Sequence, residues 1–109
     1  MSERQTYLEM SLSQEINTLK QLMMSFITPR LHLFLYDSID PTVEHKWIQV
    51  PGLLCLHFDV YYNNSHLVGL YYDSNDFESQ CTEDFEALKS QAIMLINHEF
   101  QSQMRNRPL

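Results

Sequence analysis

Apolar residues in the first quarter of the chain recur at helical spacing. Leu8, Leu12, Ile16, Leu19, Met23 and Phe26 follow one another at steps of four, four, three, four and three, which lines them along one side of an α-helix. Tyr7, Met10, Leu22 and Ile27 widen that stripe, and Gln14, Asn17, Thr18, Gln21 and Ser25 occupy the opposite side. Ser2 with Gln5 fits a capping box. Pro29 disfavours the α region for the residue before it. The pattern predicts a helix over residues 3–27, ~37 Å long at the α-helical rise, enough to overhang a small domain and reach another chain.

Beyond Pro29 the helical period is lost. Leu31-His32-Leu33-Phe34-Leu35-Tyr36 reads as a first strand, interrupted only by His32, and Asp37-Ser38-Ile39-Asp40-Pro41-Thr42 is turn chemistry. Residues 43–50 form a second strand, in which Glu44 and Lys46 suit a wet face or a sheet edge. Pro51-Gly52 marks a turn. Leu53–Tyr62 is the third strand and the most apolar, and residues 67–72 are the fourth.

Leu54, Leu56, Phe58, Val60 and Tyr62 share one face of the third strand, and Val68, Leu70 and Tyr72 one face of the fourth. Both sets fall on the same side of the sheet if 60 opposes 70 and 62 opposes 68, leaving Asn64-Ser65-His66 as a three-residue loop. A two-residue Asn64-Ser65 loop would send them to opposite faces. In the first register Leu53, Cys55, His57, Asp59 and Tyr61 face outward with Gly69, Tyr71 and Asp73. His57 then opposes Asp73, Asp59 opposes Tyr71, and Tyr61 opposes Gly69.

The last segment is again helical. Thr82 caps it, with Glu83, Asp84 and Glu86 at the positive end of its dipole. Phe85, Leu88, Ala92, Leu95, Ile96 and Phe100 make its buried stripe, Arg105 and Arg107 sit near its negative end, and Pro108 follows. Helix, four strands, helix is an α+β order, α-β-β-β-β-α. Short connections pair the strands as an antiparallel four-stranded meander. The long N-terminal helix and the C-terminal helix cover one face of it, in a single two-layer domain over residues 1–109.

Composition narrows the function classes. The 109 residues are 44% hydrophobic and 19% charged, which is ordinary for one domain with its own core. The formal charge of −7 disfavours direct nucleic-acid binding, which needs Lys and Arg for phosphates. No apolar run approaches membrane-spanning length, and MSERQTYLEM lacks signal-peptide layout, so a cytoplasmic protein with no membrane partner is expected. Cys55 and Cys81 are then free thiols, with Cys55 a small buried group in its apolar run. His32, His45, His57, His66 and His98 do not pair at zinc-ligand spacing. With only Gly52 and Gly69 there is no glycine-rich phosphate loop. Neither metal nor cofactor is expected.

Charge is unevenly spread. Between Lys46 and Lys89 there is no Lys or Arg, while Asp59, Asp73, Asp76, Glu78, Glu83, Asp84 and Glu86 fall within that stretch. A field of one sign speeds encounter with a cationic partner; a solvated loop with ordinary helix-start acids is the plainer account. Asp73-Ser74-Asn75-Asp76-Phe77-Glu78 offers oxygen ligands without the glycine or spacing of an EF-hand. Phe77 inside it is either a core anchor or an exposed hydrophobe.

These features point to a small acidic protein-binding module that is not an enzyme: an inhibitor, immunity-type neutraliser, secretion chaperone or assembly adaptor. It would dock a partner with a basic surface through His57, Asp59, Tyr61 and Tyr71 on the sheet and through Asp73, Asp76, Glu78, Glu83, Asp84 and Glu86. Tyrosines among scattered polar groups are what partner surfaces favour, and the same face suits a homodimer. A second reading is a small enzyme or ligand-binding domain. There Asp59 orients His57 as a general base, although Cys55 and Tyr61 are the only nucleophiles nearby and no oxyanion loop is visible. A third is a nucleic-acid mimic with carboxylates standing for phosphates.

Overall fold

The structure, a computed structural model, describes residues 2–35 and 39–106. Tyr36, the Asp37-Ser38 part of the expected turn, Arg107 and Pro108 lie outside the described residues. The architecture is α+β, with helices α1 (Glu3–Ser11) and α2 (Ser13–Leu35), strands β1 (Thr42–Val50), β2 (Leu53–Tyr62) and β3 (Ser65–Asp73), then helices α3 (Ser74–Glu83) and α4 (Phe85–Arg105). The sheet is antiparallel, in the order β1-β2-β3.

Three strands replace the four expected, because residues 31–35 continue α2 instead of forming a strand. The buried stripe runs Leu8, Leu12, Ile16, Leu19, Met23, Ile27 and Leu31, so helical spacing persists past Pro29. A proline inside a helix removes one hydrogen bond and crowds the carbonyl a turn earlier. Here neighbouring carbonyls gain side-chain donors: the Thr28 hydroxyl donates to Met24 O at 2.7 Å and Arg30 Nη1 to Phe26 O at 2.8 Å. Burial of Leu31 and these bonds outweigh the local preference. Phe26, expected in the core, is half-buried under the Arg30 guanidinium, 3.6 Å from its ring centroid, and Ile27 takes its place.

The long N-terminal helix is two helices joined at Leu12, whose φ of −111° and ψ of 15° depart from helical values. Leu12 still donates to Leu8 O and accepts from Ile16 N, both at 2.9 Å, so the stripe crosses the joint. Ser2 caps α1 by accepting from Gln5 N.

Polar contacts also pin α1 in place. Glu9 accepts from His45 Nε2 at 2.8 Å and from the Trp47 indole, and Lys20 Nζ lies 3.2 Å from His45 Nδ1. Burial pushes the Glu9 carboxyl up, but the Trp47 and His45 hydrogen bonds, with the charges of His45 and Lys20, outweigh it and hold it below the usual value. At the other end of α1, Arg4 donates to Glu78 at 2.6 Å and to Asn75 at 3.0 Å on α3.

The β2–β3 hairpin keeps the expected faces by a different route. Its turn is the two-residue Asn63-Asn64, with φ of 52° and 66°, the left-handed values that such turns need and that Asn tolerates. Tyr62 pairs with Ser65 and Tyr61 with His66, but Val60 pairs with Val68, so Leu67 is the extra residue of a β-bulge. A two-residue turn alone would put the apolar sets on opposite faces; the bulge restores them to one. The expected cross-strand partners are corrected accordingly: His57 opposes Tyr71, Asp59 opposes Gly69, Cys55 opposes Asp73, and Tyr61 opposes His66.

The segment after β3, read as a loop, is α3. Asp73 caps it, accepting from Asn75 N at 2.8 Å and Asp76 N at 3.3 Å. Its Phe77 is fully buried, with ring centroids 5.9 Å from Phe58 and 5.3 Å from Tyr72. Helix α4 is capped by Asp84, which accepts from Ala87 N at 3.1 Å, in place of Thr82, whose hydroxyl bonds back to Glu78 and Ser79 carbonyls. Leu88, Ala92, Ile96 and Phe100 are buried as expected, whereas Leu95 is exposed. The helices cover the sheet face that carries Leu54, Leu56, Phe58 and Val60 of β2 and Val68 and Leu70 of β3, all buried. No helix among the described residues is long and apolar enough to cross a membrane.

Candidate functional site: the open face of the sheet

Alternation along each strand gives the sheet a second face, on which none of the described helices packs. Its residues are Glu44, Lys46, Ile48 and Val50 of β1; Leu53, Cys55, His57, Asp59 and Tyr61 of β2; and His66, Gly69, Tyr71 and Asp73 of β3. Pairing brings Ile48 opposite Cys55 and Val50 opposite Leu53, making an apolar patch beside the Pro51-Gly52 turn. Val50 is 42% exposed and Leu53 39%. Next to this patch the His57 and Tyr71 rings lie 4.4 Å apart between centroids, and Tyr71 is 60% exposed.

Asp59 is the exception on this face, at 3% exposed. Its Oδ1 meets His66 Nε2 at 2.8 Å and its Oδ2 lies 3.8 Å from Lys46 Nζ. A buried carboxylate persists only when paired, and the His66 hydrogen bond with the nearby Lys46 ammonium supplies the pairing. Gly69 supplies the space: a Cβ there would stand 2.8 Å from both Asp59 Oδ1 and the Tyr71 hydroxyl. The Tyr71 ring therefore folds back over the glycine. Gly69→Ala is expected to push Tyr71 off the face at little cost and to strain the Asp59–His66 pair. The expected destabilisation is ~1 kcal/mol, read as a lower urea midpoint. An unchanged midpoint would show that the slot is not required.

The expected site residues therefore separate. His57, Asp59, Tyr61 and Tyr71 share the open face, with the Tyr61 ring 5.5 Å from His66. The expected orientation of His57 by Asp59 is not formed: Asp59 is held by His66 and Lys46, while His57 lies against Tyr71. Asp76, Glu78, Glu83, Asp84 and Glu86 belong to the helical layer, and four of the six acids from Asp73 to Glu86 have partners within the chain. Asp73 and Asp84 are helix caps, Glu78 pairs with Arg4, and Glu86 pairs with Lys89 at 2.7 Å. Asp76 and Glu83 are exposed. His66, Lys46 and Val50 join the expected residues, and Leu53, expected on the outward face, lies there as part of the apolar patch. His66 is expected in the loop; the Asn63-Asn64 dipeptide is the signal that it lies within the strand instead.

Beneath the sheet, burial and the neighbouring Cys81 push the Tyr72 hydroxyl up to about 12, and burial with the Glu15 and Glu78 carboxylates pushes the Cys81 thiol up to about 12. Neither group ionises near neutral pH, so Cys81 is no thiolate nucleophile. Among the described residues no group of three or more His, Cys, Asp and Glu is arranged to hold a metal ion. Thr42, Glu44, Tyr61 and Asn64 line a shallow, open depression at the hairpin end, without the enclosure of a small-molecule site. No family model, no curated protein and no solved structure matches this chain.

Proposed function

We propose that the chain is a small acidic protein-binding module with no chemistry of its own, which docks a partner on the open face of its sheet. The observation that carries this reading is the apolar patch of Ile48, Val50, Leu53 and Cys55, continued by His57 and Tyr71, on a face that no described helix covers. Water-exposed aliphatic and aromatic side chains rimmed by charged ones, here Glu44 and Lys46, are the anatomy of a contact surface. A basic partner suits the net charge of −7, and the exposed Asp76 and Glu83 add a field that steers encounter.

The test pairs two variants against a partner identified by co-purification from the native source. Val50→Lys with Leu53→Lys alters exposed positions and should leave the thermal midpoint nearly unchanged while weakening binding at least ~10-fold by calorimetric titration. Glu83→Lys with Glu86→Lys, sparing the Asp84 cap, should slow association and flatten its salt dependence. Undiminished affinity in the first variant removes the docking face; an unchanged salt slope in the second removes the electrostatic part.

A further inference from the structure

The two edges of the sheet are built differently. β1 lies between Pro41 and Pro51 and presents exposed Glu44 and Lys46. Edge charges and flanking prolines oppose the addition of another strand. β3 pairs with β2 along one side only, and from Leu67 to Tyr72 it has no Lys, Arg, Asp, Glu or Pro. Its bulge disturbs the hairpin end alone. From Val68 to Asp73 the pairing with β2 is regular, which leaves ~20 Å of even edge, a usual strand length. Such a row of outward N–H and C=O groups is a template for a further strand.

We propose that β3 pairs antiparallel with β3 of a second copy of this chain, joining two three-stranded sheets into one of six strands across a twofold axis at Leu70. Strands continue one sheet with both helical layers on the same side only if paired residues share a face, and Leu70 opposite Leu70 satisfies this. In that register Tyr71 of each copy lies opposite Gly69 of the other, beside the tyrosine ring that already lies over that glycine. Carried through the bulge at Leu67, Asp73 lies opposite His66, a carboxylate facing an imidazole. No like charges meet along the edge, although each copy carries −7, and that neutrality favours a second copy over a basic partner strand. The pairing uses the edge of the sheet and stands whether or not the open face docks a partner.

Sedimentation equilibrium of the full chain should give a dimer with a dissociation constant on the order of 10 μM or tighter. Amide hydrogen exchange should slow with protein concentration at those β3 positions whose N–H groups point away from β2. Tyr71→Lys, at an exposed position, should weaken the dimer at least ~10-fold with the thermal midpoint kept. A monomer throughout the accessible range overturns the proposal. So does a dimer whose β3 amides exchange independently of concentration, which would place the contact on the open face, or a Tyr71→Lys variant that dimerises as tightly as the parent.

Discussion

Phe58→Ala is expected to remove about 4 kcal/mol of folding free energy, within the range for deleting a buried phenylalanine ring. Phe58 is fully buried at the middle of the central strand. Its ring meets Tyr72 edge-on at 6.0 Å, Phe77 at 5.9 Å and His45 at 6.5 Å, so it joins β1, β2, β3 and α3. These neighbours come from three other elements and cannot collapse together into the space, so the cavity cost is kept within the loss. Domains of this size have roughly 5–15 kcal/mol in all, so the variant should lose about a quarter or more of its stability. Urea unfolding checks this by a large fall in midpoint at unchanged slope. Phe58→Leu should cost under about 1.5 kcal/mol, and Tyr71→Ala on the open face under about 1 kcal/mol. Equal losses for Phe58→Ala and Tyr71→Ala would mean that the two faces of the sheet have been exchanged.

The second large effect is expected at the joint between α1 and β1. Glu9 holds the His45 imidazole and the Trp47 indole at once. Replacement by Gln leaves one acceptor for two donors and turns an amide N–H₂ toward the other. Hydrogen bonds to charged groups contribute about 1.5–3 kcal/mol; with the Glu9 side chain 41% exposed, solvent screening lowers this to about 1–2 kcal/mol. The pH dependence has a definite sign. The Glu9 carboxyl is depressed below 4.5 in the fold, so its contribution is present above pH 4.5 and is lost as pH falls through the folded value. The difference between parent and Glu9→Gln should therefore be full at pH 7 and shrink steadily below pH 4.5. Urea unfolding at several pH values measures it. A difference that persists unchanged at pH 3 would show that the carboxylate charge is not what α1 depends on.

The parts legible in the sequence were those decided by period. Steps of three and four placed the helices around Leu8–Met23 and Leu88–Phe100, and alternation placed Leu54, Leu56, Phe58 and Val60 on one face. The open face followed from the same alternation, which is why His57, Tyr61 and Tyr71 lie where they were expected. Asp59 shared the predicted face but not the predicted exposure, because its burial depends on His66, Lys46 and the space at Gly69, three groups that pairing alone assembles. The acids after Asp73 read as one patch along the chain; folding assigned Asp73 and Asp84 to caps and Glu78 to Arg4.

Local pattern by itself determined the α+β class, the two later hairpin strands and the side of the sheet that faces the helices, since each depends on which neighbours along the chain are apolar. Tertiary structure decided the rest: that residues 31–35 are helix beyond a proline, that Asn63-Asn64 turns the hairpin while Leu67 bulges, and that α3 exists at all. Burial of Leu31 outweighs the local preference around a proline, the bulge at Leu67 returns to one face the apolar sets that the Asn63-Asn64 turn alone would separate, and α3 is held by Phe77 against Phe58; each depends on pairing or packing between elements as well as on local pattern.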